Sequence, residues 1–308
     1  MTEAGLTGGT VTLRVLKGTT ASGTREAEYE VPMVTGMVVL DAIHFVQHNL
    51  DTDLACRWNC KAAKCGSCSA EVNGRPVLMC KTRIDDLASG PITVHPLKTF
   101  PLIKDLVTDV SRNYEVNREI KPFTHAPDDR GPWRIQQVDI DRLYEYRRCI
   151  ECFLCQDVCH ILRTHHYEDR FYGPRFFVRV AGLEMHPKDV LDRTEETREE
   201  GGLGYCNITK CCTEVCPEHI HITDNAIIPL KERVADRDWD PARFAVRMLL
   251  RRPTHRAASP ATAATPTLPD PAKPPRNRGD WDEAALTNVD ITELVKQQIH
   301  TRTRPWEK

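Results

Sequence analysis

Four cysteines stand in the run Cys149-Ile-Glu-Cys152-Phe-Leu-Cys155-Gln-Asp-Val-Cys159. Spacing of this kind gives three thiolates to one cubane iron–sulfur cluster and sends the fourth to a neighbouring cluster. A second, imperfect copy follows as Cys206, Thr209, Cys212 and Cys216-Pro217, with a threonine where a cysteine would stand. A third set lies upstream as Cys60, Cys65, Cys68 and Cys80. Three thiol sets so spaced describe a protein that carries electrons.

Exchange of the fourth cysteine between the two later runs gives two ligand sets. Cys149, Cys152, Cys155 and Cys216 supply four thiolates, enough for a 4Fe–4S cubane. Cys159, Cys206 and Cys212 supply three, because Thr209 cannot act as a thiolate. A cubane corner without a ligand loses its iron readily, so a 3Fe–4S cluster is expected there, at a higher potential that suits a late electron acceptor. The upstream set has the x4, x2 spacing and distant fourth cysteine of a plant-type 2Fe–2S site. Its Gly66 and Ser67 are small, and let the backbone turn N–H groups toward sulfur.

Zinc also accepts four thiolates. Zinc sites prefer paired short knuckles, however, and the Cys159 set holds only three cysteines. A zinc-stabilised scaffold without redox work is the alternative from a different functional class. Cys56 reads as a small buried apolar residue, though it could also serve as an alternative ligand. Cys211 adjoins Cys212, and adjacent side chains rarely reach the same cluster. His160 follows Cys159 and reads as a cap or surface residue, with a hydrogen bond to cluster sulfur or proton donation as the alternative. Glu200-Gly-Gly-Leu-Gly204 follows no strand and is no dinucleotide loop.

The elements that must position these thiols are legible in part. The 308 residues leave room for two domains of ordinary size, and 40% hydrophobic with 28% charged residues is a globular balance. A net charge of −2 gives no bulk attraction to nucleic acid. Thirteen cysteines without a secretory start fit reduced metal ligands in a reducing compartment better than disulfides. No apolar stretch is long enough for a membrane span, so attachment to a membrane is expected through partners.

Alternation over 11–16 and 27–31 predicts two strands, and the pattern over 38–47 predicts an amphipathic helix. Strands are expected at 69–72, 76–80 and 92–94, with an Asn73-Gly74 turn. Residues 97–145 read as a helical connection. The resulting domains are 1–110, 111–250 with mostly helical spacers, and a linker with a short C-terminal helix over 251–308. Seven prolines between Pro253 and Pro275 predict disorder there. Ile291, Leu294, Val295 and Ile299 fall at helical spacing, as a terminal helix or a docking helix for a partner.

The order of these motifs resembles the iron–sulfur subunit of succinate dehydrogenase and fumarate reductase over about residues 10–245. The resemblance rests on Asn59–Cys68, the run 149–159, Cys206-x5-Cys212-x3-Cys216-Pro217, and His95-Pro96-Leu97 with Phe100–Leu106. It implies an α+β fold, with a β-grasp 2Fe–2S ferredoxin domain followed by an α-helical ferredoxin domain. It implies succinate dehydrogenase activity as the electron-transfer subunit: a partner flavoprotein oxidises succinate on FAD, and electrons pass through 2Fe–2S, 4Fe–4S and 3Fe–4S clusters to quinone in a membrane anchor that can carry haem. The same wire run in reverse would serve a quinol:fumarate reductase. A thiol-linked relative is disfavoured because no cysteine follows Cys216. Many ubiquinone-reducing members carry tryptophan at Thr164 and histidine at Asn207, and their absence favours menaquinone. The implied location is peripheral, at the cytoplasmic face of the plasma membrane. No residue of this chain is expected to be catalytic toward the dicarboxylate.

Overall fold

Val11, Leu13 and Val15 are buried while the residues between them face outward, so the first strand carries one apolar face. The computed structural model describes residues 6–239, apart from Ala88, Arg130, Pro132 and Trp133. The expected proline-rich segment and terminal helix, 251–308, lie outside the described residues. Strands β1 (Leu6–Thr19) and β2 (Gly23–Val34) form a long antiparallel hairpin. Helix α1 (Val39–Asn49) follows and turns Val39, Leu40, Ala42, Ile43 and Val46 into the core. Each buried Val, Leu or Ile contributes roughly 1.5–3 kcal/mol.

Strands β3 (Ser69–Val72), β4 (Arg75–Leu78) and β5 (Ile92–His95) complete a five-stranded sheet in the order β2-β1-β5-β3-β4. β1 and β5 run parallel and the other neighbours antiparallel. Asn73 (φ 49°) and Gly74 (φ 76°) both take left-handed backbone, as the two-residue hairpin turn between β3 and β4 demands.

The segment after β5 departs from the expected helical connection. Residues 102–108 form a small hairpin, β6 (Leu102–Lys104) and β7 (Val107–Thr108), around the buried Asp105. Its carboxylate accepts hydrogen bonds from the N–H groups of Gly18 (2.7 Å) and Ala55 (2.8 Å). One side chain therefore fixes both the end of β1 and the entry to the first cysteine loop. Strands this short leave no period to read, so only the tertiary partners of Asp105 define them. Helices α2 (Ser111–Glu119) and α3 (Gln137–Arg147) follow.

Beyond α3 the elements among the described residues are helical: α4 (Leu154–Asp157), α5 (His160–His165), α6 (Pro174–Glu184), α7 (Thr194–Glu199), α8 (Cys211–Glu214), a π-helical turn at Ile222–Ile227, and α9 (Ile228–Trp239). Two buried cores result. One joins the sheet and α1 to Cys152 and Leu154. The other surrounds Phe171, Phe176 and Phe177.

A buried charge cluster joins the sheet to the helices. Glu71 of β3 and Asp157 of α4 are 1% and 0% exposed. Arg163 of α5 lies 2.7 Å from Glu71 and 3.6 Å from Asp157, and Lys98 lies 3.0 Å from Glu71. Asp157 also accepts the backbone N–H of Thr99 at 3.0 Å. Burial, with Glu71 alongside, pushes the Asp157 carboxyl up to about 7 despite the Thr99 bond. A carboxyl raised in the fold binds its proton more tightly than in the unfolded chain, so its contribution to stability is lost as pH rises through about 7. Arg163→Met should cost about 3 kcal/mol, since it strips the cation that faces two buried acids. The loss should be smaller in mildly acid buffer, where Asp157 is protonated. Denaturant midpoints at acid and neutral pH check both; an equal loss at the two would contradict the coupling.

Candidate metal centres

The loop from Asp51 to Cys68 contains no helix or strand. Lys61 (φ 53°), Ala63 (φ 55°) and Gly66 (φ 70°) take left-handed backbone. The turns aim the N–H groups of Ala62 and Lys64 at Cys60 Sγ, at 3.3 and 3.4 Å. Cys60 stands near enough to Cys65, and Cys80 to Cys68, to bear on its ionisation. Burial disfavours the Cys65 thiolate, but hydrogen bonds from Ser67 and the Cys60 neighbourhood outweigh it and bring the thiol down to about 7. Burial pushes Cys68 up to about 12.

The two later runs share one backbone plan. Glu151 (φ 57°) and Phe153 (φ 60°) are left-handed in the first, and Ile208 (φ 60°) and Lys210 (φ 63°) occupy the same places in the second. Each pattern opens a one-turn helix, α4 and α8. The second run thus keeps the form of the first although Thr209 replaces a cysteine. Left-handed backbone costs an ordinary residue energy, and its persistence at both sites indicates a fold arranged around the sulfurs.

Cys216 belongs to the second run in sequence but lines one cavity with Cys149, Cys152 and Cys155 of the first. Ile220 N–H donates to Cys216 Sγ at 3.4 Å. Cys206 and Cys212 stand near Cys159 instead, close enough for the Cys206 thiol to oppose ionisation of both partners. Cys211 also stands near Cys159, and its Sγ is 3.3 Å from Thr209 Oγ1. Cys212 Sγ lies 3.4 Å from Thr223 Oγ1 on the π-helical turn. The fold therefore groups Cys216 with Cys149, Cys152 and Cys155 around one cavity, and places Cys206, Cys211 and Cys212 near Cys159.

All thirteen cysteines are free thiols. Burial pushes Cys152 and Cys212 up to about 12 and Cys159 to about 11, and holds Cys155 well above the usual thiol range. Metal must displace those protons, so loading releases protons and tightens as pH rises. Among the described residues no three or more Cys, His, Asp or Glu side chains converge as a single ion requires. Cys149, Cys152, Cys155 and Cys216 line one cavity, and four soft thiol donors are the ligand set an iron–sulfur core takes. Cys56 lies at the edge of the sheet core, where burial raises its thiol to about 12, as a small apolar residue would. His160 is exposed and its ring contacts that of His165 at 4.9 Å.

The first and second thiol sets meet directly. A Cβ added at Gly66 would lie 2.7 Å from Cys152 Cα and 2.9 Å from its N and Cβ. Ser69 Oγ is 2.8 Å from the carbonyl oxygens of both Gly66 and Cys152. Lys64 pairs with Glu218, two residues beyond Cys216, at 2.9 Å. Spacing alone did not point to Ser69 or to Arg175, which is 2% exposed and lines the cavity with the four cysteines. Arginine between Pro174 and the apolar Phe176-Phe177-Val178 was the available signal for a buried cation.

Comparison with known proteins adds three kinds of likeness. Residues 12–115 match a 2Fe–2S iron–sulfur cluster binding domain, and residues 145–220 match a 4Fe–4S dicluster domain. The chain is 31% identical to a fumarate reductase iron–sulfur subunit of Escherichia coli O6:H1, over 63% of this chain and 80% of that one. It is 28% identical to a succinate dehydrogenase iron–sulfur subunit of Bacillus subtilis, over 64% and 82%. A chain in the solved structure titled Mycobacterium smegmatis Sdh1 complex in the apo form is 56% identical, with a TM-score of 0.72, covering 76% of this chain and 98% of that one.

Proposed function

The chain belongs to the iron–sulfur subunits of the succinate dehydrogenase and fumarate reductase family, and from that premise we propose that it conducts electrons from succinate, oxidised on a partner FAD flavoprotein, to quinone in a membrane anchor. It carries 2Fe–2S and 4Fe–4S dicluster domains. The proposed ligands are Cys60, Cys65, Cys68 and Cys80 for 2Fe–2S; Cys149, Cys152, Cys155 and Cys216 for 4Fe–4S; and Cys159, Cys206 and Cys212 for 3Fe–4S. Bound clusters supply one-electron chemistry; the protein supplies their positions and potentials.

The observation that carries this reading is the contact between Gly66 and Cys152. Electron tunnelling falls steeply with distance, and the contact seats the first thiol loop on the second. The shared burial of Cys155 near Cys212 continues the path toward the third set. Likeness to the Sdh1 chain supports the succinate-oxidising direction. Several relatives are named fumarate reductase, and the reverse direction would use the same wire. Thr164 and Asn207 support menaquinone as the acceptor. The proposed location is the cytoplasmic face of the plasma membrane, where partners hold the subunit peripherally. No helix among the described residues is long and apolar enough to cross a membrane.

Affinity purification from native membranes tests the proposal. A flavoprotein and an anchor should co-purify, and added succinate should bleach the brown cluster absorption. A colourless, zinc-loaded protein without a flavoprotein would contradict it. Gly66→Ala should slow transfer from the 2Fe–2S centre, because the new Cβ meets Cys152 backbone rather than a flexible side chain. Freeze-quench kinetics after a succinate pulse check this; unchanged transfer with an intact fold would count against the contact as the route.

A further inference from the structure

Arg175 sits second in α6, directly after Pro174, and its side chain is buried. Its guanidinium donates to Glu151 Oε1 at 2.6 Å and to Asn117 Oδ1 at 2.9 Å, and lies 6.0 Å from the centre of the Phe153 ring. Nε has no hydrogen-bond partner. A buried donor left unpaired is costly, and this one belongs to a residue lining the cavity of Cys149, Cys152, Cys155 and Cys216. The charged residues lining that cavity are Glu151, Glu218 and Arg175. Arg179 also pairs with Glu151, and Lys64 pairs with Glu218. Arg175 is thus the one cation among the residues lining the cavity, and the carboxylates there, Glu151 and Glu218, are each offset by a second cation from outside it.

We propose that Arg175 sets the reduction potential of the 4Fe–4S centre, raising it by placing a buried cation and an unused N–H donor beside the cluster. The inference rests on the assignment of that centre to Cys149, Cys152, Cys155 and Cys216. Adding an electron makes the centre more negative, and a nearby cation in a poorly screened interior favours that state. Glu151 holds the guanidinium in place and offsets part of its charge, while Phe153 covers one face. Arg175 is a positioning residue for charge and touches no dicarboxylate.

The test is an anaerobic redox titration of the purified complex, followed by electron paramagnetic resonance of each centre. Arg175→Gln should lower the 4Fe–4S potential by at least a tenfold change in the one-electron equilibrium, about 59 mV. Arg175→Lys, which keeps the charge but loses the Nε donor, should fall between that variant and the parent. Glu151→Gln should raise the potential. The 2Fe–2S potential should stay put in all three. If Arg175→Gln fails to assemble, Glu151→Gln decides alone, and a potential that does not rise overturns the proposal. Intact spectra with unchanged 4Fe–4S potentials would also overturn it. A parent complex with no such centre would instead overturn the functional reading beneath it.

Discussion

Cys216→Ala should abolish the 4Fe–4S signal while the 2Fe–2S signal remains. The residue lies in the second run, between Cys212 and Pro217, so a run-by-run assignment would charge it to the other cluster. The fold places its thiol in the cavity of Cys149, Cys152 and Cys155. Removing it leaves that cavity with three thiols, and a cubane held by three cysteines sheds an iron or fails to assemble. The complementary variant Cys159→Ala should remove the 3Fe–4S signal, because Cys159 stands near Cys206 and Cys212. Metal and fold are coupled here, so each variant should also lose stability. Low-temperature paramagnetic resonance of reduced and oxidised samples separates the centres. Loss of the 3Fe–4S signal in Cys216→Ala, with the 4Fe–4S signal kept, would contradict the exchange.

Thr209→Cys should convert the three-iron centre into a four-iron one and lower its potential. The backbone already allows the change: Ile208 and Lys210 repeat the left-handed conformations of Glu151 and Phe153 that flank Cys152. A thiolate at 209 would complete a set of four with Cys159, Cys206 and Cys212. The Thr209 hydroxyl lies 3.3 Å from the thiol of Cys211, an exposed contact whose loss costs little. Mössbauer spectroscopy and iron content check the outcome. Transfer out of the subunit should slow as the last centre becomes a weaker acceptor. A variant that keeps the spectrum of the parent would count against Thr209 as the reason for three irons.

Much of this design was legible in residue types and spacing. Period-2 alternation marked β1 and β2, and Asn73-Gly74 marked its hairpin, because both signals depend on neighbours in the chain. The two iron–sulfur domains were legible for a similar reason: cluster geometry restricts the spacing of cysteines. Asp105 was not, since its role comes from Gly18 and Ala55, distant in sequence. Nor was the cluster of Glu71, Asp157 and Arg163, which exists only where the sheet meets α4 and α5. Gly66 was expected to be small for its own loop. Its closer constraint is the backbone of Cys152, which no local pattern reveals.

The most direct test of the whole is quantitative iron analysis of anaerobically purified protein, combined with paramagnetic resonance in both redox states. About nine irons per chain should be found, with a 3Fe–4S signal when oxidised and 2Fe–2S and 4Fe–4S signals when reduced. Zinc in place of iron, or an oxidised protein that holds its iron yet is diamagnetic, would contradict it.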